Sequence, residues 1–189
     1  MIAYKPLKMK FVGIRPLILS NPYRDPKSPI VAELKEFSAK RKKTEADAER
    51  IAYLQFLLSL YLNDNDEIII PALNIYYCLF EGAKNKKKGK DVKIAISVDK
   101  SPVIQYDGPK NIDEMFKDGF RFTHGQVTLM GGRTEVTQCR FNKWELNVEI
   151  LYDENILNLS DMQSAAEFAG RAKGLGTWRP LHGLFTVEF

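Results

Sequence analysis

Gly174-Leu175-Gly176-Thr177-Trp178-Arg179-Pro180-Leu181-His182-Gly183-Leu184-Phe185 is the stretch on which the fold turns. It follows a segment with helical spacing and precedes a short β-prone terminus, so it joins a helix to a last strand. Glycine lacks a Cβ, tolerates φ > 0 and lets a second backbone come close. Two readings of the stretch stand side by side. In one, Lys173, Gly174, Gly176 and Arg179 form a loop whose amides and cations cradle a phosphate, and Trp178 offers a ring on which a base can stack. In the other, Gly174 is the left-handed residue that ends a helix and Trp178 is a core ring beneath the turn.

Working outward, Met162, Ala165, Ala166, Phe168 and Ala169 predict a helix over residues 161–173 with Ser160 as its N-cap. Residues 186–189 predict the closing strand. The β-prone runs between residues 120 and 152 are interrupted at Gly131-Gly132-Arg133, which predicts a hairpin with Arg133 at its tip and a further strand over 144–152. The alternation Val92-Lys93-Ile94-Ala95-Ile96-Ser97-Val98 predicts a strand with one buried face. Leu73, Tyr76, Tyr77 and Phe80 predict a helix over 72–83, and Pro71 closes a short buried strand or extended entry at 68–70. Thr44 caps a helix over 45–62, and a shorter helix spans 30–41. Residues 7–19 make the first strand, bent at Gly13 or Pro16. The loop after it carries three prolines, with Tyr23 and Arg24 between them. Stripped of additions the order is βαββαβ. It predicts one α+β domain over residues 1–189, a ferredoxin-like or RRM-type sandwich with a hairpin-rich insertion near 99–143.

The order helix, Gly-Leu-Gly, a spacer containing Arg, Gly-hydrophobic and a final strand resembles the C-terminal glycine-rich loop of the RAMP superfamily. These are CRISPR-associated RNA-binding proteins with RRM-like folds. Gly174, Leu175, Gly176, Gly183 and Leu184 match the pattern, whereas Phe185 stands where the family has glycine. The hairpin with Arg133 at its tip resembles the thumb-like protrusions of CRISPR backbone subunits. The lysine-rich style of the sequence resembles bacteriophage and mobile-element proteins. The resemblance implies single-stranded RNA or DNA as partner and leaves room for self-association or assembly with other subunits.

Composition permits this reading without demanding it. The chain has 189 residues, 44% of them hydrophobic and 11% aromatic, enough for a proper core. Its net charge is only +4, so the distribution of charge matters more than its sum. Lys84, Lys86, Lys87, Lys88 and Lys90 form one dense cluster, read either as a solvated loop or as a phosphate-binding patch. Arg121 and Arg171 join Arg133, Lys173, Trp178 and Arg179 as candidate nucleic-acid contacts. The N-terminus lacks a signal pattern and no apolar run is long enough to span a bilayer, so a cytoplasmic protein without a membrane partner is expected.

Catalytic motifs are scarce. No Gly-x-Ser-x-Gly, phosphate-loop or dinucleotide fingerprint occurs. Cys78 and Cys139 lack a paired spacing and read as reduced, buried thiols. With His124 and His182 they form no local ligand pair, so neither a metal nor another cofactor is expected. RAMP-type endoribonucleases use general acid–base chemistry, often through histidine, to drive the RNA 2′-hydroxyl onto the adjacent phosphate. His182 and His124 are the candidates for that role. Three function classes follow: a non-catalytic single-strand binder, a metal-independent endoribonuclease, and an interaction or inhibitor protein that docks on a host complex.

Overall fold

In the computed structural model, residues 4–22, 25–127 and 132–189 are described, with the side chains of Val127 and Arg133 left aside. The elements run β1 (Tyr4–Gly13), β2 (Leu17–Ile18), α1 (Pro29–Ala39), α2 (Glu45–Ser59), α3 (Ala72–Ala83), a 3-10 turn (Lys84–Lys86), α4 (Gly89–Ala95) and β3 (Ile96–Ser97). They continue with α5 (Ile112–Lys117), β4 (Arg121–Val127), β5 (Arg133–Phe141), β6 (Glu145–Asp153), α6 (Leu159–Ala172) and β7 (Phe185–Glu188). The fold is α+β, with antiparallel sheets. It divides into two compact units. Unit 1 is Met1–Ile18, Tyr61–Asp107 and Phe141–Phe189, and unit 2 is Leu19–Leu60 and Gly108–Arg140.

Unit 1 is built on a four-stranded sheet of order β3-β6-β1-β7, in which every pairing is antiparallel. Period-two alternation sorts its faces. Met9 and Phe11 of β1, Leu146, Val148 and Ile150 of β6 and Phe185 of β7 are buried. Phe11 and Phe185 stack with ring centroids 4.3 Å apart. Trp144 packs edge-on against Phe185 and donates its Nε1–H to the Arg15 carbonyl at 2.9 Å. Burial of each such ring stabilises the fold by about 1.5–3 kcal/mol. Helix α6 covers this face, and at Gly170 a side chain would run into Phe185. Helices α3 and α6 meet closely at Gly82, where a Cβ would lie only 2.8 Å from that of Ala169. The small residues Ala165, Ala166 and Ala169 permit this approach and are fully enclosed.

Unit 2 sets α2 between α1, α5 and the β4–β5 hairpin. Thr44 opens α2 with a reciprocal cap: its Oγ1 accepts from the Asp47 amide at 3.1 Å and its own amide donates to Asp47 Oδ2 at 2.9 Å. Arg50 of α2 grips Glu33 of α1 with two parallel bonds of 2.6 and 2.9 Å. Ser59 Oγ accepts from the Cys139 amide and Gln55 Oε1 from the Thr137 amide, which fastens α2 to β5. Phe116 of α5 meets Tyr53 and Phe56 edge-on.

Several local expectations are corrected. Residues 92–98 do not form one strand, because 89–95 are helical and only Ile96–Ser97 pair. Val92, Ala95 and Ile96 are buried while Ile94 is exposed, so the three-to-four spacing prevails over the apparent alternation. Residues 68–70 form isolated bridges, Leu62 with Ile68 and Ile69 with Val103. The cap of α6 is Asn158, whose side chain accepts from the Asp161 amide, rather than Ser160. The first strand divides into β1 and β2 after Gly13. Tyr23, Arg24 and the hairpin residues 128–131 lie outside the described residues.

Candidate nucleic-acid interface

The glycine-rich stretch is a packed device. Gly174, Gly176 and Gly183 all have φ between 73° and 75°. A Cβ on Gly183 would overlap the Leu175 carbonyl, and one on Gly176 would overlap the Ile18 carbonyl. The loop is laced to itself and to the β1–β2 connection. Leu175 donates to the Gly183 carbonyl at 2.9 Å, Gly183 to Pro16 at 2.8 Å and Thr177 to Ile18 at 2.9 Å. Gly174 donates back to Ala169 at 2.8 Å, and the buried Cys78 thiol donates to the Gly174 carbonyl at 3.3 Å. Burial pushes that thiol up to about 12, which makes it an inert core group. The amides of Gly174, Leu175, Thr177, His182 and Gly183 are thus bonded within the protein. The helix-end reading holds for Gly174 and fails for Trp178. Gly174 is the left-handed residue after α6, whereas Trp178 is no core ring: it is 44% exposed and sits at φ 62°.

Lys173, Gly176, Thr177, Trp178, Arg179, Pro180, Ala172 and Glu81 line an open cleft of about 640 Å³. Glu81, on the last turn of α3, bonds Lys84, and its second oxygen lies 3.9 Å from Lys173 Nζ. The lysine cluster runs beside α6. Lys86 Nζ reaches Ser164 Oγ at 2.8 Å, and Lys88 Nζ lies 3.2 Å from Asp91 and 3.7 Å from Asp161. The bond to Asp91 and the charge of Asp161 raise the Lys88 pKa above the ordinary lysine value. Arg171 lies over the Phe168 ring. Lys87 and Lys90 are exposed. Cations therefore accompany α6 from its first turn to past its last. At 1.5 Å per residue, the rise from Asp161 to Lys173 is about 18 Å. Residues 81–93 and 161–179 carry nine lysines and arginines against four carboxylates.

The open face of the sheet differs. Lys8 faces Glu149 across the ladder, and Lys10 stands between Asn147 and Glu188 and pairs with Glu145 at 2.8 Å. Two lysines meet three glutamates there. The exposed rings Tyr4 and Phe189 stand at the strand ends.

The remaining predicted contacts belong to unit 2. Arg121 binds both oxygens of Glu49 at 2.7 and 2.8 Å and lies over Phe116. Arg133 opens β5. His124 Nε2 is 3.0 Å from Gln138 Oε1, and His182 is half-buried inside the glycine-rich loop of unit 1. Among the described residues no three His, Cys, Asp or Glu side chains are grouped to hold a metal, and no helix is long and apolar enough to cross a membrane. Sequence reasoning did not single out Glu81, because Lys173, which its second carboxylate oxygen faces, lies far along the chain. Comparison of the sequence with protein-family models and with curated proteins finds no match.

Proposed function

We propose that the chain binds single-stranded nucleic acid, RNA in preference to DNA, along the helix-and-loop side of unit 1, without catalysis. The observation that carries the reading is the cleft that brings the exposed Trp178 ring together with Lys173 and Arg179. Aromatic stacking plus phosphate-pairing cations is the chemistry that holds unpaired nucleotides. The lysines beside α6 extend the cationic path. A tryptophan at positive φ is strained, and such strain clusters at sites that hold ligands.

The fold supports the same reading. Helix α3 follows β1, α6 precedes β7, and the order β3-β6-β1-β7 is the one a ferredoxin-like βαββαβ sandwich adopts. The RAMP resemblance and the preference for RNA rest on this order together with the glycine-rich loop before the last strand. The charge-matched sheet face moves the proposed interface away from the open sheet, where RRM modules stack their bases.

The test is fluorescence anisotropy with labelled single-stranded RNA and DNA across a salt series. Affinity should fall by about 0.7 log units per tenfold salt for each phosphate contact. A flat signal at low salt overturns the reading. Cleavage of RNA but not of its 2′-deoxy analogue, lost in His182→Ala, would replace it with the endoribonuclease reading.

A protein-docking reading is favoured by one observation. Ile14 and Leu181 are exposed beside the same loop, and Arg15 donates to the Leu181 carbonyl at 3.1 Å. It predicts no affinity for nucleic acid and a stable complex with a protein that covers this apolar pair.

A further inference from the structure

The cleft beside Trp178 contains one group that a site for phosphate alone has no use for. Glu81 lines it together with Lys173, Trp178 and Arg179, with one carboxylate oxygen 3.9 Å from Lys173 Nζ, and a carboxylate repels an incoming phosphate. Lys84 and Lys173 flank Glu81. We propose that Glu81 makes this cleft selective for guanine. The inference rests on the proposed single-strand binding at the same cleft.

The argument is one of complementary donors. An ionised carboxylate only accepts hydrogen bonds, and it offers two oxygens side by side. Guanine presents two adjacent donors on its Watson–Crick edge, N1–H and the 2-amino group, and so meets both oxygens at once. Cytosine and adenine present one amino donor next to a ring-nitrogen acceptor, which faces the second oxygen unfavourably. Uracil presents a single N–H between two carbonyls. The other groups of the lining are assigned contacts that do not sort bases. An indole ring stacks on any base, Lys173 and Arg179 contact phosphates that are alike in every nucleotide, and the Thr177 hydroxyl both donates and accepts. Glu81 is thus the discriminating group, with Trp178 holding the base plane and the cations holding its phosphates.

The experiment is an anisotropy titration of short oligouridines in which one central position is G, A, C, U or inosine. The wild-type chain should bind the G oligonucleotide about ten-fold more tightly than the A, C or U forms, the scale of one good bidentate base contact. Inosine keeps N1–H but lacks the 2-amino group, and it should lose most of that advantage. In Glu81→Gln, which removes the charge and puts a donor in place of one acceptor, the G preference should fall to within about two-fold. If Glu81 merely braces the two lysines, the substitution weakens every oligonucleotide by one common factor and the G-to-U ratio stands, which overturns the inference. Equal binding of all the wild-type oligonucleotides overturns it too, while leaving single-strand binding intact. Absence of binding overturns both. The inosine comparison needs no variant and is independent of how Glu81→Gln folds.

Discussion

The two compact units are both rich in cations and employ them differently. In unit 2, Arg50 is held by Glu33, Arg121 by Glu49 and Lys40 by Asp47 at 2.6 Å. These side chains fasten helices to each other and to the hairpin. In unit 1, the lysines and arginines beside α6 outnumber the carboxylates near them, and Lys87, Lys90 and Arg179 point to solvent. A cation bonded on both carboxylate oxygens contributes to folding and little to a ligand. A surplus cation contributes little to folding and is available to a phosphate. The same residue type, read in sequence as one class of candidate contact, therefore divides by unit.

The largest expected effect concerns the backbone that carries the surplus charge. Gly183→Ala combines φ 73° with a Cβ that overlaps the Leu175 carbonyl, so it should cost about 3 kcal/mol or more. Gly125, on the hairpin of unit 2, has nothing within 4 Å of an added Cβ, and Gly125→Ala should stay within about 0.5 kcal/mol of wild type. Urea denaturation of the two variants measures the contrast. Equal midpoints would show that the glycine-rich loop is no more constrained than an open strand.

Next in size is the effect on binding. Arg179→Ala combined with Lys86, Lys87 and Lys88→Ala should lower single-strand affinity about a hundred-fold at low salt. The salt slope should flatten by about 0.7 for each phosphate that is no longer paired. Arg121→Ala should leave affinity within about two-fold and instead lower stability by about 1 kcal/mol through removal of the Glu49 pair. If Arg121→Ala weakens binding as much as the unit 1 variant does, the division of roles between the units is wrong. Trp178→Ala follows, with a loss of about ten-fold from one missing stacking platform and an unchanged thermal midpoint, because the ring is exposed.

Much of the fold was legible because local chemistry and tertiary environment agree. Helix α3 begins after Pro71 and runs over Ala72–Ala83 as expected, but it buries Ile75, Cys78, Leu79, Gly82 and Ala83, whereas Leu73 and Tyr77 of the expected apolar face are exposed. The Thr44 cap starts α2 at Glu45, and β4 and β5 pair as antiparallel neighbours on either side of the Gly-Gly signal. The misreading at 92–98 arose where one short run fits both periods. Val92 and Ile96 are two strand repeats apart and also one helical turn apart, and the exposure of Ile94 decides between them. Helix α5 passed unread because six residues give no periodicity. Its signal was the Asn111 cap, which accepts from the Asp113 and Glu114 amides. At the candidate site the glycines, Trp178 and the lysines could be named from sequence. The placement of Glu81 against Lys173 and the confinement of Arg121 by Glu49 could not, since each depends on elements brought together from distant parts of the chain.

The smallest effect bears on the fastening side of the comparison. Asp47 lies under the cap of α2, and its carboxyl is lowered to about 2 by the Lys40 ammonium first and by the Thr44 amide and hydroxyl next. An unfolded aspartate titrates near 3.9. A depressed folded pKa stabilises above the unfolded value, and that stabilisation is lost as the pH falls from about 4 towards about 2. Asp47→Asn should therefore lower the thermal midpoint modestly at pH 6, and the gap from wild type should close as the pH approaches 2. A paired cation of unit 1 behaves in the opposite sense. Lys88, with its pKa raised by Asp91 and Asp161, contributes a stabilisation that is complete below the ordinary lysine value and disappears only in strong alkali. A midpoint gap for Asp47→Asn that persisted at pH 2 would mean that α2 is held by the shape of its cap rather than by the charge that unit 2 devotes to it.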